Sequence, residues 1–110
     1  MSDGPLREAD NVEITILTDN YTDILMMQGF RKESEVVRRP KILPPGALLA
    51  EHGLSCLVTV HKGTETHRVL MDTGVSSACL FHNAALLDTD LGCIEAVVIS
   101  HGHFDHFGGL

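Results

Sequence analysis

Six residues near the end of the chain, His101-Gly102-His103-Phe104-Asp105-His106, constrain it more than any other feature. They directly follow the continuous apolar run Ala96-Val97-Val98-Ile99, which reads as a strand buried on both faces. On an extended chain leaving that strand, residues two apart point to the same side, so the imidazoles of His101 and His103 converge. Phe104 then points the other way and anchors the loop in the core. Asp105 and His106 are adjacent and diverge unless the chain turns; if it turns, they face a second position beside the first. Three imidazoles and a carboxylate packed this closely are costly, and a shared cation relieves the cost by favouring neutral His and ionised Asp. Imidazole and carboxylate donors suit zinc, with nickel, iron or manganese as alternatives set by availability. Gly108-Gly109 permit tight packing at the start of a following element. The competing reading is a solvent-exposed His-rich tail, which accords poorly with a segment interleaved with Phe and Gly behind an apolar strand.

Upstream, the pattern is that of one small α/β domain, 12–110, behind a polar lead-in at 1–11. Val12-Glu13-Ile14-Thr15-Ile16-Leu17-Thr18 alternates and then turns apolar, predicting a strand half buried at first and more buried toward its end. Leu54–Val60 and His67–Asp72 flank a short turn and predict an antiparallel hairpin, because the connection is too short for a parallel crossover. Val75 to about Leu87 predicts a helix with Ser76 or Ser77 near its N-cap. Residues 21–50 read as an inserted loop region with a short helical turn, carrying Arg38-Arg39-Pro40-Lys41 and the turn signal Pro44-Pro45-Gly46. A strand–helix–strand unit leading into potential ligands places a site at the carboxyl ends of strands.

Composition excludes several classes. The formal net charge of −7 argues against a nucleic-acid backbone or an anionic membrane as the main partner. The N-terminus lacks the basic and apolar regions of a secretory signal, and a cytoplasmic setting is the expectation. Cys56, Cys79 and Cys93 are odd in number and not in C-x-x-C spacing, so three small buried thiols are expected rather than a disulfide framework or a cysteine zinc site.

The histidine segment resembles the H-x-H-x-D-H signature of the metallo-β-lactamase superfamily, and Leu70-Met71-Asp72-Thr73-Gly74 resembles that fold's D-T-G turn. Ala50-Glu51-His52-Gly53-Leu54-Ser55, His82-Asn83-Ala84 and the spacing to His101 are similar to the dihydropterin–ribofuranosylaminobenzene-phosphate synthase-like branch. The resemblance implies an α/β fold, the N-terminal half of an αββα sandwich, with a mixed sheet and a flanking helix. It implies that His101 and His103 bind a first metal and Asp105 and His106 a second, most simply two zinc ions. Asp72 would orient the metal loop by hydrogen bonds, or act as no more than a helix cap. A metal-activated hydroxide would attack a phosphoryl or carbonyl centre, with Asp105 also orienting the nucleophile as a catalytic group. Family members carry a further His, a bridging carboxylate and a last His downstream, so the chain reads as truncated after the motif. The alternative to a hydrolase is therefore a catalytically incomplete fragment with partial metal binding. A di-iron redox site ranks below both, since such sites usually carry Glu where His103 stands.

The expected partner is a small molecule, phosphorylated in the synthase-like branch, with no protein partner identifiable. Arg38 and Arg39 are candidate substrate-binding groups because guanidinium forks match phosphate oxygens; a solvated loop is the alternative. His52 is a candidate substrate-binding or metal-adjacent group, against an exposed turn. His61 and His67 are expected at the surface, and His82 as a packed or capping residue.

Overall fold

A computed structural model describes residues 6–22 and 47–110. The expected loop with Ile24–Met27, Arg38, Arg39 and Pro44-Pro45-Gly46 lies almost wholly outside the described residues. Within them, four strands form one mixed sheet in the order β1 (Asn11–Thr18), β2 (Ser55–Lys62), β3 (Glu65–Met71), β4 (Ala96–Val98). β1 and β2 pair antiparallel, as do β2 and β3, through the two-residue connection Gly63-Thr64. β3 and β4 pair parallel, Val69 against Ala96 and Met71 against Val98. The crossover between them is helix α1 (Ser77–Leu86), followed by a 3-10 turn at Leu91–Cys93. This is a mixed α/β architecture.

Helix α1 forms where the sequence supplies both ends. Ser76 is the N-cap, its hydroxyl accepting from the Cys79 amide at 3.3 Å. At the other end Thr89 N donates to Ala84 O at 2.8 Å and Asp88 N to Ala85 O at 3.2 Å, with Asp88 at φ +53. That is a Schellman cap with aspartate in the position usually taken by glycine. One side of α1 covers one face of the sheet. Leu80 and Ala84 meet Leu17, Leu57 and Leu70 there, and Leu87, Leu91 and Ile94 close the edge. Each fully buried leucine contributes about 1.5–3 kcal/mol.

The opposite face of the sheet is apolar and, among the described residues, exposed along β1 and β4, while on β2 Cys56 is buried and Val58 and Val60 are half-buried. Val12, Ile14 and Ile16 lie on it, in register with Val60, Val58 and Cys56, and then with Met71 and Val98 further across. Ile14 is 64% exposed. The strand at 12–18 is thus buried only at its end, at Leu17 and Thr18. Alternation from Ile16 puts Leu17 in the α1-side core, and the pairing register shifts between Ile16 and Thr18.

Three expectations are corrected. Ala96–Val98 is not buried on both faces: all three residues are exposed, because among the described residues β4 is an edge strand and α1 covers little of it. Phe104 does not anchor the loop in the core. A one-turn helix, α2 (Phe104–Phe107), begins at that residue, and the switch from a period of two to 3.6 leaves Phe104 63% exposed, edge-on to Phe107. Cys93 is exposed, its thiol donating to Asp90 Oδ2 at 3.1 Å, because Leu91 and Ile94 fill the apolar contacts of that turn. Cys56 and Cys79 are buried and none of the three thiols is in a disulfide. No helix among the described residues is long and apolar enough to cross a membrane.

Candidate metal centre

The carboxyl ends of β3 and β4 lie side by side, so the residues that follow each strand meet. Asp72, directly after β3, donates its backbone N–H to Val98 O at 2.8 Å. It is fully buried, and its backbone is left-handed at φ +58. That conformation costs a non-glycine residue about 1–2 kcal/mol. It goes with a carboxylate aimed at the loop after β4. Asp72 Oδ1 accepts from the Ser100 amide at 2.6 Å, and Oδ2 accepts from the Ser100 hydroxyl and from His106 Nδ1, both at 2.7 Å. Burial pushes the Asp72 pKa up, but the bonds from Ser100 and the contact with His106 outweigh it and hold the carboxyl below its ordinary value.

This carboxylate decides which imidazole nitrogens carry protons. Ionised Asp72 only accepts, so His106 Nδ1 donates to it, and in the neutral ring that leaves His106 Nε2 with a lone pair. The Ser100 hydroxyl has one proton, which it gives to Asp72, so at its 2.9 Å contact it accepts from His101 Nδ1. In the neutral ring His101 Nε2 is then also left with a lone pair. The rings are clustered: His101 stands 4.6 Å from His103 and 4.1 Å from His106, centroid to centroid. Asp105 Oδ2 lies 3.5 Å from His106 Nε2. Two acceptors this close repel unless a proton or a cation stands between them.

Turn and packing residues hold the cluster. Thr73 N donates to His106 O at 2.8 Å, and Thr73 Oγ1 accepts from Gly109 N at 2.9 Å. Gly108 lies flat on the chain at Val75, where a Cβ would collide with the Val75 carbonyl. The donor types fit a divalent cation: imidazole nitrogens beside a carboxylate, two of the rings already engaged through Nδ1 so that Nε2 is the side left for a metal. As they stand, however, no three His, Cys, Asp or Glu side chains among the described residues are arranged to hold an ion. The donors meet in pairs.

Other sequence candidates fall in different places. His52 Nε2 lies 3.1 Å from Asp105 Oδ2 and so joins the cluster. His61 pairs with Glu13 at 2.7 Å, and His67 sits between Glu95 and Glu65, all at the surface and away from the loop. His82 Nε2 donates to Ala47 O at 2.9 Å and tethers the segment before β2. Asp72 is not the cap of α1; Ser76 is. Arg38 and Arg39 are outside the described residues. Burial, with Asp72 and Asp19 nearby, pushes the Cys56 thiol up, and burial does the same for Cys79, which keeps both protonated and unsuited to metal. Sequence reasoning missed Ser100, although a hydroxyl residue between an apolar strand and a His was a usable signal. It also missed Asn20, whose Oδ1 accepts from Gly53 N at 2.7 Å, a contact with no local signature.

The sequence model of the metallo-beta-lactamase superfamily matches residues 51–110, just over half of the chain. Over 61 residues, 56% of this chain, the sequence is 38% identical to the 7,8-dihydropterin-6-methyl-4-(beta-D-ribofuranosyl)-aminobenzene-5'-phosphate synthase of Methanocaldococcus jannaschii, covering 21% of that protein. It is also 38% identical over 61 residues to an uncharacterized protein of the same organism, covering 22% of it. The matches thus span about a fifth of the length of these curated relatives.

Proposed function

The chain belongs to the metallo-beta-lactamase superfamily, and on that premise we propose that it carries the leading metal-ligand loop of a metal-dependent hydrolase. His101 and His103 would hold one ion and Asp105 and His106 a second, with two zinc ions as the proposed set. The observation that supports this most is the buried Asp72, which engages His106 Nδ1 directly and His101 Nδ1 through the Ser100 hydroxyl, with His106 Nε2 3.5 Å from Asp105. Bound there, divalent ions supply a water nucleophile at neutral pH and polarise a carbonyl or phosphoryl oxygen. Asp72 keeps the Nδ1 proton on His106 and, through the Ser100 hydroxyl, on His101. Asp105, with an oxygen facing the rings, would accept a hydrogen bond from the attacking water and orient it.

A phosphorylated small molecule is the proposed substrate class, supported by the relative named as the synthase of a ribofuranosyl-aminobenzene-5'-phosphate. Arg38 and Arg39 are the proposed phosphate-binding groups. A cytoplasmic setting is proposed with it, supported by three cysteines of which none is in a disulfide. The test is zinc content together with hydrolysis of an activated phosphodiester by the native gene product. Zinc-dependent turnover that disappears in His101→Ala and His103→Ala is expected; turnover unaffected by both substitutions contradicts the reading.

A second reading is favoured by the pairwise meeting of the donors and the share of the relatives matched. In it the 110 residues alone bind metal weakly and are catalytically incomplete. The 110-residue chain would then titrate weakly with zinc and turn over no substrate, whereas an active, cooperatively folded monomer would exclude it.

A further inference from the structure

The turn before β2 is pinned on every side. Glu51 N donates to Asp19 O at 3.0 Å, and the Glu51 carboxylate accepts from the Ser76 hydroxyl at 2.8 Å. Gly53 N donates to Asn20 Oδ1, and Leu54 O accepts from Gly74 N at 3.0 Å. Gly53 adopts φ +117 and lies against Asp105, whose carbonyl a Cβ at that position would strike. The backbone of the histidine loop therefore rests directly on this turn, and His52 extends from the turn to the loop's carboxylate at 3.1 Å.

His106 Nδ1 is engaged by Asp72 Oδ2 at 2.7 Å, and its Nε2 stands 3.5 Å from Asp105 Oδ2, beyond a good hydrogen bond. His52 Nε2 comes closer to that oxygen, at 3.1 Å. We propose that His52 is a positioning residue, which by donating to Asp105 holds that carboxylate beside His106 so that the two donors are presented together. The proposal rests on the reading that Asp105 and His106 are metal donors, and it deepens that reading by supplying the group that sets the carboxylate before metal arrives. Groups that hold a ligating side chain in this way typically affect metal affinity 10- to 100-fold. His52 is not itself a ligand in this account. Its side chain is 76% exposed, against 23% for Asp105, so its replacement leaves the folded core untouched.

His52→Ala and His52→Gln of the full chain separate the alternatives, since the glutamine amide can donate near the position of Nε2 but is a poor zinc ligand. Two readouts are taken. The first needs no metal: three-bond couplings about the Asp105 Cα–Cβ bond by NMR. The wild type and His52→Gln are expected to show one rotamer and His52→Ala an average of several. The second is zinc affinity by competition with a chromophoric chelator. His52→Ala is expected to weaken binding about tenfold, with His52→Gln within about twofold of the wild type. Unchanged couplings in His52→Ala overturn the proposal. Equal affinity losses in both variants, with the Asp105 rotamer kept in His52→Gln, also overturn it and make His52 a direct ligand. Absence of zinc binding by the wild type defeats the metal reading, while the couplings still decide whether His52 sets Asp105.

Discussion

Replacing Asp72 by Asn tests the keystone of the loop with little change in shape. Asparagine tolerates a left-handed backbone at least as well as aspartate, so φ +58 adds no new strain. The substitution acts on the hydrogen bonds. Three donors converge on the carboxylate: the Ser100 amide on Oδ1, and the Ser100 hydroxyl and His106 Nδ1 on Oδ2. An amide offers one accepting oxygen, so at least one of these donors faces an NH2 group. Bonds to a charged acceptor contribute about 1.5–3 kcal/mol each, and breaking one side of a buried ionic network costs about 3–5 kcal/mol. A hydroxyl can rotate and a ring can flip, so the expected loss is near the lower end, about 3 kcal/mol. With a urea m-value of about 1.5 kcal/mol/M for a chain of this size, the midpoint falls by about 2 M.

Urea denaturation of the metal-free chain, followed by far-UV circular dichroism, reads this directly. The same variant carries a pH signature. The folded pKa of Asp72 lies below its unfolded value of about 3.9, so its stabilisation is complete above that pH and drains away as pH falls through the lower folded value. The wild type should lose this contribution below about pH 4, and Asp72→Asn, which has nothing there to protonate, should lack that part of the acid dependence. A midpoint shift under about 0.3 M, corresponding to less than about 0.5 kcal/mol, would refute the argument that Asp72 holds the loop.

Three further outcomes follow from other parts of the structure. Leu80→Ala empties the centre of the only core described, where Leu80 meets Leu17, Leu57 and Leu70, and should cost about 3 kcal/mol in the same urea assay; a loss under about 1 kcal/mol would mean α1 does not pack there. Ile14→Lys on the exposed β1 stretch of the apolar sheet face should stay within about 1 kcal/mol of the wild type and reduce self-association in sedimentation velocity, and a larger loss would show Ile14 to be buried in the free chain. His67 accepts its extra basicity first from its bond to Glu95 and then from Glu65, so its imidazole should titrate above 6.5 by NMR and move back down in Glu95→Gln. Any stability it adds is present below pH 6.5 and disappears as pH rises through the folded value, the reverse of Asp72.

What could be read from the sequence was local. The hairpin of β2 and β3 and the helix from Ser77 carried their own signals, in alternation, in a Gly-containing turn and in a serine cap. The convergence of His101 with His103 did too, since a spacing of two survives the bend that follows Ser100. Exposure was the part that could not be read. A run such as Ala96-Val97-Val98-Ile99 has the same composition whether it ends as a central or an edge strand, and the neighbours decide. Val12, Ile14 and Ile16 likewise mark one face of β1, but only the placement of α1 fixes that the helix covers the other face. Phe104 was misplaced because the alternation rule was carried one residue too far into a helical turn. The links from Asn20 to Gly53 and from His52 to Asp105 join distant segments, and no local pattern encodes them.

X-ray absorption of the zinc-loaded chain tests the central claim most directly, because imidazole and carboxylate donors and thiolates place the first shell at different distances. A shell of nitrogen and oxygen at about 2.0–2.2 Å with imidazole scattering, lost in the His101→Ala, His103→Ala double variant, is the expected result. A sulfur shell at about 2.3 Å, or an unchanged spectrum in the double variant, would place the metal elsewhere and remove the basis for a hydrolase.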